Sequence, residues 1–312
     1  MKDILLFMKK MFFDVLIEYS KRNKAILFST LIIGVLVAYF AAEFISYSVV
    51  FEGVIGIIVV YIITIISYVI YNHFNVIVVE FYYINGQPIN INEKTKINFV
   101  SLWGAKRLIY NKDELNIDKV FSDLDEMLLQ IKSMKEIHYF SITSIPINGH
   151  LGYKLGRFNK MFAYNFNQKD LKWESVQLFD KKYTSTIIEF NKDLNSDEFN
   201  LVISLSNQIK FEQLADQDLY TYMISYDSTI ENQFINYDEI FNDIKDLLLE
   251  YKVCHIYLSS NSAFPFYLGT KLYNRNYSTP MWYEWGGINS QRYTRLLDSY
   301  KEEIIDIEVE DE

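Results

Sequence analysis

The sequence holds one cysteine, Cys254, and four histidines, at positions 73, 138, 150 and 255, in 312 residues. No disulfide can form within the chain, which fits a reducing compartment. Cys254 falls in a predicted strand beside Val253 and Ile256 and reads as a buried structural thiol. The histidines are scattered, and no Cys/His spacing suits a metal. HExxH, Walker A, GxSxG and the Rossmann glycine fingerprint are all missing, so the common hydrolase, ATPase and dehydrogenase signatures do not apply. With four prolines and 11 glycines there is no Pro/Gly-rich linker to divide the chain. A net charge of -10 without a basic stripe disfavours a DNA or RNA polymer as partner.

Charge is also missing from two long apolar runs, AILFSTLIIGVLVAYFAA at 25–42 and GVIGIIVVYIITIISYVIY at 53–71. Each comes close to the ~20 residues that a helix needs to cross a bilayer. The loop between them carries no Lys or Arg, whereas the N-terminal flank carries Lys2, Lys9, Lys10, Lys21, Arg22 and Lys24. The reading is a transmembrane hairpin over 24–72 with both termini cytoplasmic, a two-pass protein of the cell's inner membrane. Residues 1–23 form a cytosolic segment whose Leu5, Met8, Phe12, Val15 and Leu16 share one helical face. Neither span contains an ionisable residue, which argues against an ion relay through the hairpin.

The rest of the chain, from residue 73 on, is aromatic-rich and long enough to bury a core. Its most informative feature is self-similarity. FSDLDEMLLQIK at 121–132 resembles FNDIKDLLLEYK at 241–252, both with apolar residues at helical spacing. IHYFSITSIPINGHLGYKL at 137–155 then aligns without gaps to CHIYLSSNSAFPFYLGTKL at 254–272. Each copy reads as helix, strand, polar turn, helix. A weaker match, KINFVSLWG at 96–104 with FNLVISLSNQ at 199–208, is read as the first strand of each copy. The fold class is α/β: two pseudo-symmetric Rossmann-like halves, about 96–160 and 199–285, within a sensor-like module at 96–300. Residues 73–95 are read as a connecting segment, 160–195 as hairpin material around an Asn-Gln-Lys-Asp turn, and 301–312 as an acidic tail.

Ligands of open α/β sheets bind at the carboxyl ends of the strands. Polar residues cluster there in both copies: Thr143 and Ser144 in one, Ser260 and Asn261 in the other, each directly before a helix. Helix starts favour anions through free N–H groups and the helix dipole. Lys154 and Lys271 lie in those helices; Ser206 and Asn207 end one first strand, and Trp103 and Lys106 follow the other. These ten residues are the candidate binding set, for a phosphate-bearing guest. Ser and Thr before a helix are equally ordinary N-caps, and Lys on a helix is equally a solvated residue.

The strand FNLVISLSN, the run HIYLSSNSAFPFYLGTKLYNRNYSTPMWYEW and the first copy IHYFSITSIPINGHLGYKL together resemble the SAVED domain, a sensor of two fused CARF-like halves. The resemblance covers about 90–300. It implies a two-transmembrane SAVED effector of CBASS antiphage defence. Its ligand would be a cyclic di- or trinucleotide made by a partner nucleotidyltransferase, with no other cofactor and no metal. Ligand binding would drive homo-oligomerisation, and the gathered hairpins would disrupt the lipid bilayer. The resemblance implies a receptor rather than an enzyme, with slow ring-nuclease-like cleavage of the ligand left open. The alternative is a membrane-tethered scaffold or immunity-type interaction protein with no nucleotide ligand.

Overall fold

The structure is a computed structural model that describes residues 49–84, 87–88, 102–110, 125–131, 133–156, 160–167, 172–175, 185–192, 196–226, 236–274, 276–286 and 291–307. Two compact units emerge, one of Met1–Val78 with Ile97–Arg107, the other of Val79–Lys96 with Leu108–Glu312.

The first unit contains helix α1, Val49–Asn75, 27 residues long, or about 40 Å at 1.5 Å per residue. Ile62, Ile66, Ile70 and Phe74, spaced four apart, are exposed, while Thr64, Tyr68 and Asn72 are buried. The Asn72 amide donates to the Trp103 carbonyl at 2.8 Å. Beside it Gly104 sits at φ +80°, where a Cβ would run into the Val69 backbone, so only glycine suits this turn. The second expected span falls within α1; the first lies outside the described residues. Among the described residues no helix is long and apolar enough to cross a membrane.

In chain order α1 is followed by β1 (Val76–Ile84), β2 (Gln87–Pro88), β3 (Lys106–Tyr110), a helix α2 at 125–131, β4 (Glu136–Thr143), α3 (Ile145–Leu155), β5 (Met161–Asn167) and β6 (Lys172–Ser175). Then come β7 (Ser185–Phe190), β8 (Glu198–Ser204), β9 (Tyr220–Tyr226), α4 (Tyr237–Glu250), β10 (Val253–Ser259), α5 (Ala263–Leu272), β11 (Thr279–Trp285), β12 (Tyr293–Asp298) and β13 (Glu303–Asp306). Among the described residues the strands form two sheets. One has six strands in the order β2-β1-β4-β5-β6, with β3 also on β1; the other has seven, in the order β13-β12-β11-β10-β8-β9-β7. In the larger sheet β9, β8, β10 and β11 run parallel, flanked by antiparallel β7 and β12. The central strand β10 is buried along its whole interior, the mark of a parallel strand covered on both faces.

The duplication read from the sequence is present in three dimensions. Both α2 and α4 bury the middle leucine of their apolar triplets, Leu128 and Leu248, and expose the third, Leu129 and Leu249. The strands β4 and β10 come next, each with a parallel neighbour, β5 or β11, and then an antiparallel one, β6 or β12. His138 Nδ1 lies 2.7 Å from Tyr164 Oη, and His255 Nδ1 2.9 Å from Tyr283 Oη. In both halves the tyrosine sits two residues beyond the histidine's partner on the next strand. Cys254 is fully buried, and burial pushes its thiol well above the usual range.

The two halves meet through α3 and α5. A Cβ added at Gly152 would fall on the Phe266 carbonyl, and one at Gly269 on the Gly149 carbonyl. These helices therefore touch backbone to backbone, and the aligned Gly152 and Gly269 of the repeat are what permits it. Beneath Gly149 lies the buried Trp282 ring, whose Nε1 donates to Ser299 Oγ at 3.0 Å. Ser299 Oγ is 3.1 Å from His150 Nδ1. Ser299 Oγ accepts from tryptophan and can still either accept from or donate to the imidazole. Burial, with Lys154 nearby, lowers the His150 pKa to about 3, in keeping with a neutral imidazole.

Three expectations are corrected. The strand beside β4, the counterpart of β8, is β1 rather than 96–104. Residues 96–101 lie outside the described set, and Leu102–Gly104 form a turn. VIVVEFYYI is the stronger strand former, with Val76–Val79, Phe81 and Tyr82 buried, but it follows the long apolar run after only Asn72–Asn75 and so looks like a connection in one dimension. The hairpin at 160–195 is present, with Asn167 facing Lys172, but β5 belongs to the first sheet as the parallel neighbour of β4. The acidic tail begins as a strand: β13 pairs with β12.

Candidate functional site

The strands β8 and β10 end side by side, Ser204 opposite Ser259. Beyond them the chain folds back onto Ser259. Its carbonyl accepts Leu205 N at 2.7 Å and Ser206 N at 3.0 Å, and its Oγ accepts Asn207 N at 2.9 Å. Ser206 Oγ stands 2.8 Å from the same hydroxyl, and Ile209 N donates to Ser204 Oγ at 3.0 Å. This network fixes the floor of a cavity of about 380 Å³. It is lined by Ser206, Asn207, Gln208, Ile209 and Gln213 from the segment after β8, by Leu258, Ser259 and Ser260 from the end of β10, and by Trp285 and Tyr293 from β11 and β12. Ile145, the first residue of α3, is the first half's contribution.

Trp285 is 39% exposed and meets the Tyr293 ring edge-on at 5.3 Å. A register shift between Glu284 and Trp285 sets this orientation at the end of β11. Burial raises the Tyr293 pKa, so the phenol stays protonated and donates to the Leu258 carbonyl at 3.3 Å. Among the described residues, none that lines the cavity carries a formal charge.

The helix starts at this end of the sheets differ. At α5, Asn261 Oδ1 accepts the N–H groups of Ala263 at 3.2 Å and Phe264 at 3.1 Å, and also the Tyr237 hydroxyl at 2.8 Å. Its donors are thereby satisfied from within. At α3, Ser144 makes no side-chain cap, and Pro146 occupies the first turn. Burial raises the Glu284 pKa, and Arg295 and Ser144 pull against that rise. Arg295 lies 3.4 Å from Glu284 and 3.0 Å from Asp306. Ser262 Oγ crosses between the halves to the Ser141 carbonyl at 2.7 Å.

Of the ten candidates, Ser206, Asn207 and Ser260 line the cavity. Asn261 sits beside it as a cap, and Ser144 immediately precedes the lining residue Ile145. Thr143 is buried at the end of β4. Lys154 and Lys271 do not join the group. Both sit in the last turns of their helices, at the opposite end from the strand tips. Lys154 is paired with Glu302; Lys271 is paired with Asp238 at 2.9 Å and lies over the Tyr267 ring. Trp103 and Lys106 belong to the other compact unit. Sequence reasoning missed Trp285, Tyr293, Gln208 and Gln213. A tryptophan closing a strand next to the central one was the available signal for the first; the glutamines come after β8 in an irregular loop with no motif.

Residues 122–298 match the SAVED family, described as "SMODS-associated and fused to various effectors sensor domain". The match spans more than half of the chain, and the chain belongs to this family. Two solved structures with a similar fold are those of the Acinetobacter baumannii Cap4 SAVED/CARF-domain containing receptor, one with the cyclic trinucleotide 3'3'3'-cAAA and one with 2'3'3'-cAAA. Identity is 11% in both, with TM-scores of 0.46 and 0.44; the matches cover 69% and 70% of this chain and 50% of each receptor. The chain thus aligns with half the length of those receptors. No curated protein matches it.

Proposed function

We propose that this chain is a membrane-anchored receptor whose SAVED domain binds a cyclic oligonucleotide second messenger, and whose N-terminal hairpin is the effector. The observation that carries the reading is the cavity at the joined ends of β8 and β10, polar and aromatic-walled, in a member of a sensor family. That is the place where open α/β sheets take nucleotide-like ligands. The cyclic trinucleotides held by the two Cap4 receptors make that ligand class the first to test here. The messenger would come from a partner nucleotidyltransferase, as in CBASS defence. Its binding would favour a self-associated state through differential affinity, and gathered hairpins would breach the inner membrane. The exposed stripe Ile62, Ile66, Ile70 and Phe74 supports the membrane reading, because such a face loses nothing in lipid and is costly in water.

Two experiments test this. The full chain in detergent is screened by thermal shift against cyclic di- and trinucleotides; a rise in melting temperature for at least one is expected, and silence across the panel favours the scaffold alternative. Liposome dye release with the identified ligand tests the effector step, and no release with bound ligand would reduce the hairpin to an anchor.

A further inference from the structure

We infer that the cavity receives a nucleobase, not a phosphate, with Trp285 as the stacking wall and the side-chain amides of Asn207 and Gln208 reading the base edge. This rests on the cyclic-oligonucleotide reading and says which part of the ligand enters. An anion has little to hold it there. Among the described residues the lining has no Lys or Arg. The first N–H groups of α5 are taken by Asn261, and Pro146 removes a donor from the first turn of α3. Lys154 and Lys271 are paired to acids at the far ends of their helices. A planar neutral group, by contrast, finds an exposed indole face, hydroxyls at Ser206 and Ser260, and two exposed amides.

The amides also select among bases. A side-chain amide carries a donor beside an acceptor and pairs with an edge showing the reverse, as adenine does. The guanine edge that shows two acceptors suits Arg or Lys, which the lining lacks. Adenine is therefore preferred and guanine disfavoured. The phosphates of the ring lie outside the cavity.

The test uses the full chain and two sets of probes. Cyclic trinucleotides of adenine and of guanine are titrated into wild type, Trp285→Ala and Trp285→Phe across a range of salt. Free adenosine and guanosine are titrated separately, read by tryptophan fluorescence with Trp285→Phe as the reference. The expected result is an adenine preference, a loss of about tenfold or more in Trp285→Ala with an unchanged salt slope, and retention in the folded, stacking-competent Trp285→Phe. Equal affinity in Trp285→Ala, a flatter salt slope, or a guanine preference overturns the assignment. Adenosine quenching of Trp285 with no cyclic ligand bound would sink the receptor reading and leave the base site standing; binding of cyclic ligands with no Trp285 dependence would do the opposite.

Discussion

Ser144 and Asn261 occupy the same position in the two copies of the repeat, and they have been put to different uses. Asn261 closes the start of its own helix, whereas Ser144 caps nothing with its side chain. One residue further on, Ile145 enters the cavity while Ser262 ties back to β4. The scaffold is thus symmetric and the site is not. Helix, strand and glycine crossing repeat; the polar atoms at the strand ends do not, and the cavity is built almost wholly from the second half. Among the described residues, the two copies thus contribute unequally to this cavity.

The largest test of the shared scaffold is Gly269→Val or Gly152→Val. Either side chain would enter the backbone of the partner helix, and a loss of about 3 kcal/mol or more in urea unfolding is expected from each. A near-neutral variant would mean that the two helices cross at a greater distance. Acid sensitivity separates the halves next, because His150 is matched by Tyr267 in the other copy. The folded His150 pKa, lowered to about 3, lies below the unfolded value, so the unfolded chain binds the proton first. Stability is unaffected above about pH 6.5 and falls on acidification by up to about 1.4 kcal/mol per pH unit. Urea unfolding of His150→Asn between pH 7 and 5 should lack that decline, whatever its stability at neutral pH.

Asn261→Ala is expected to cost about 1–2 kcal/mol through the lost cap, again by urea midpoint, and an effect near zero would erase the contrast with Ser144. The smallest effect belongs to the paired lysines. The Lys271–Asp238 pair is partly exposed, so Lys271→Gln should change stability by less than about 1 kcal/mol. It should leave ligand affinity within about twofold by calorimetry, because Lys271 lies a helix length from the cavity. A tenfold loss would return the ligand to the lysines.

The repeat was legible because it rests on features that survive in one dimension: apolar spacing in α2 and α4, buried strands, and the Leu-Gly pairs at 151–152 and 268–269. The glycines were visible as matches, while their purpose, backbone contact, needed the helices to be placed. β1 was hidden by its neighbour, since VIVVEFYYI follows the long apolar run after only four residues, Asn72 to Asn75. The lysines misled because a helix carries its two ends to different places, and residues ten positions apart cannot both serve the strand tips. Trp285 and the glutamines were illegible for the reverse reason, lying far apart in the chain and meeting only when β8, β10 and β11 close ranks.

Where α3 and α5 cross there is no layer of side chains to compress, only peptide groups. The two halves consequently share a fulcrum without a cushion. Any side chain larger than a hydrogen at Gly152 or Gly269 would have to pry the halves apart.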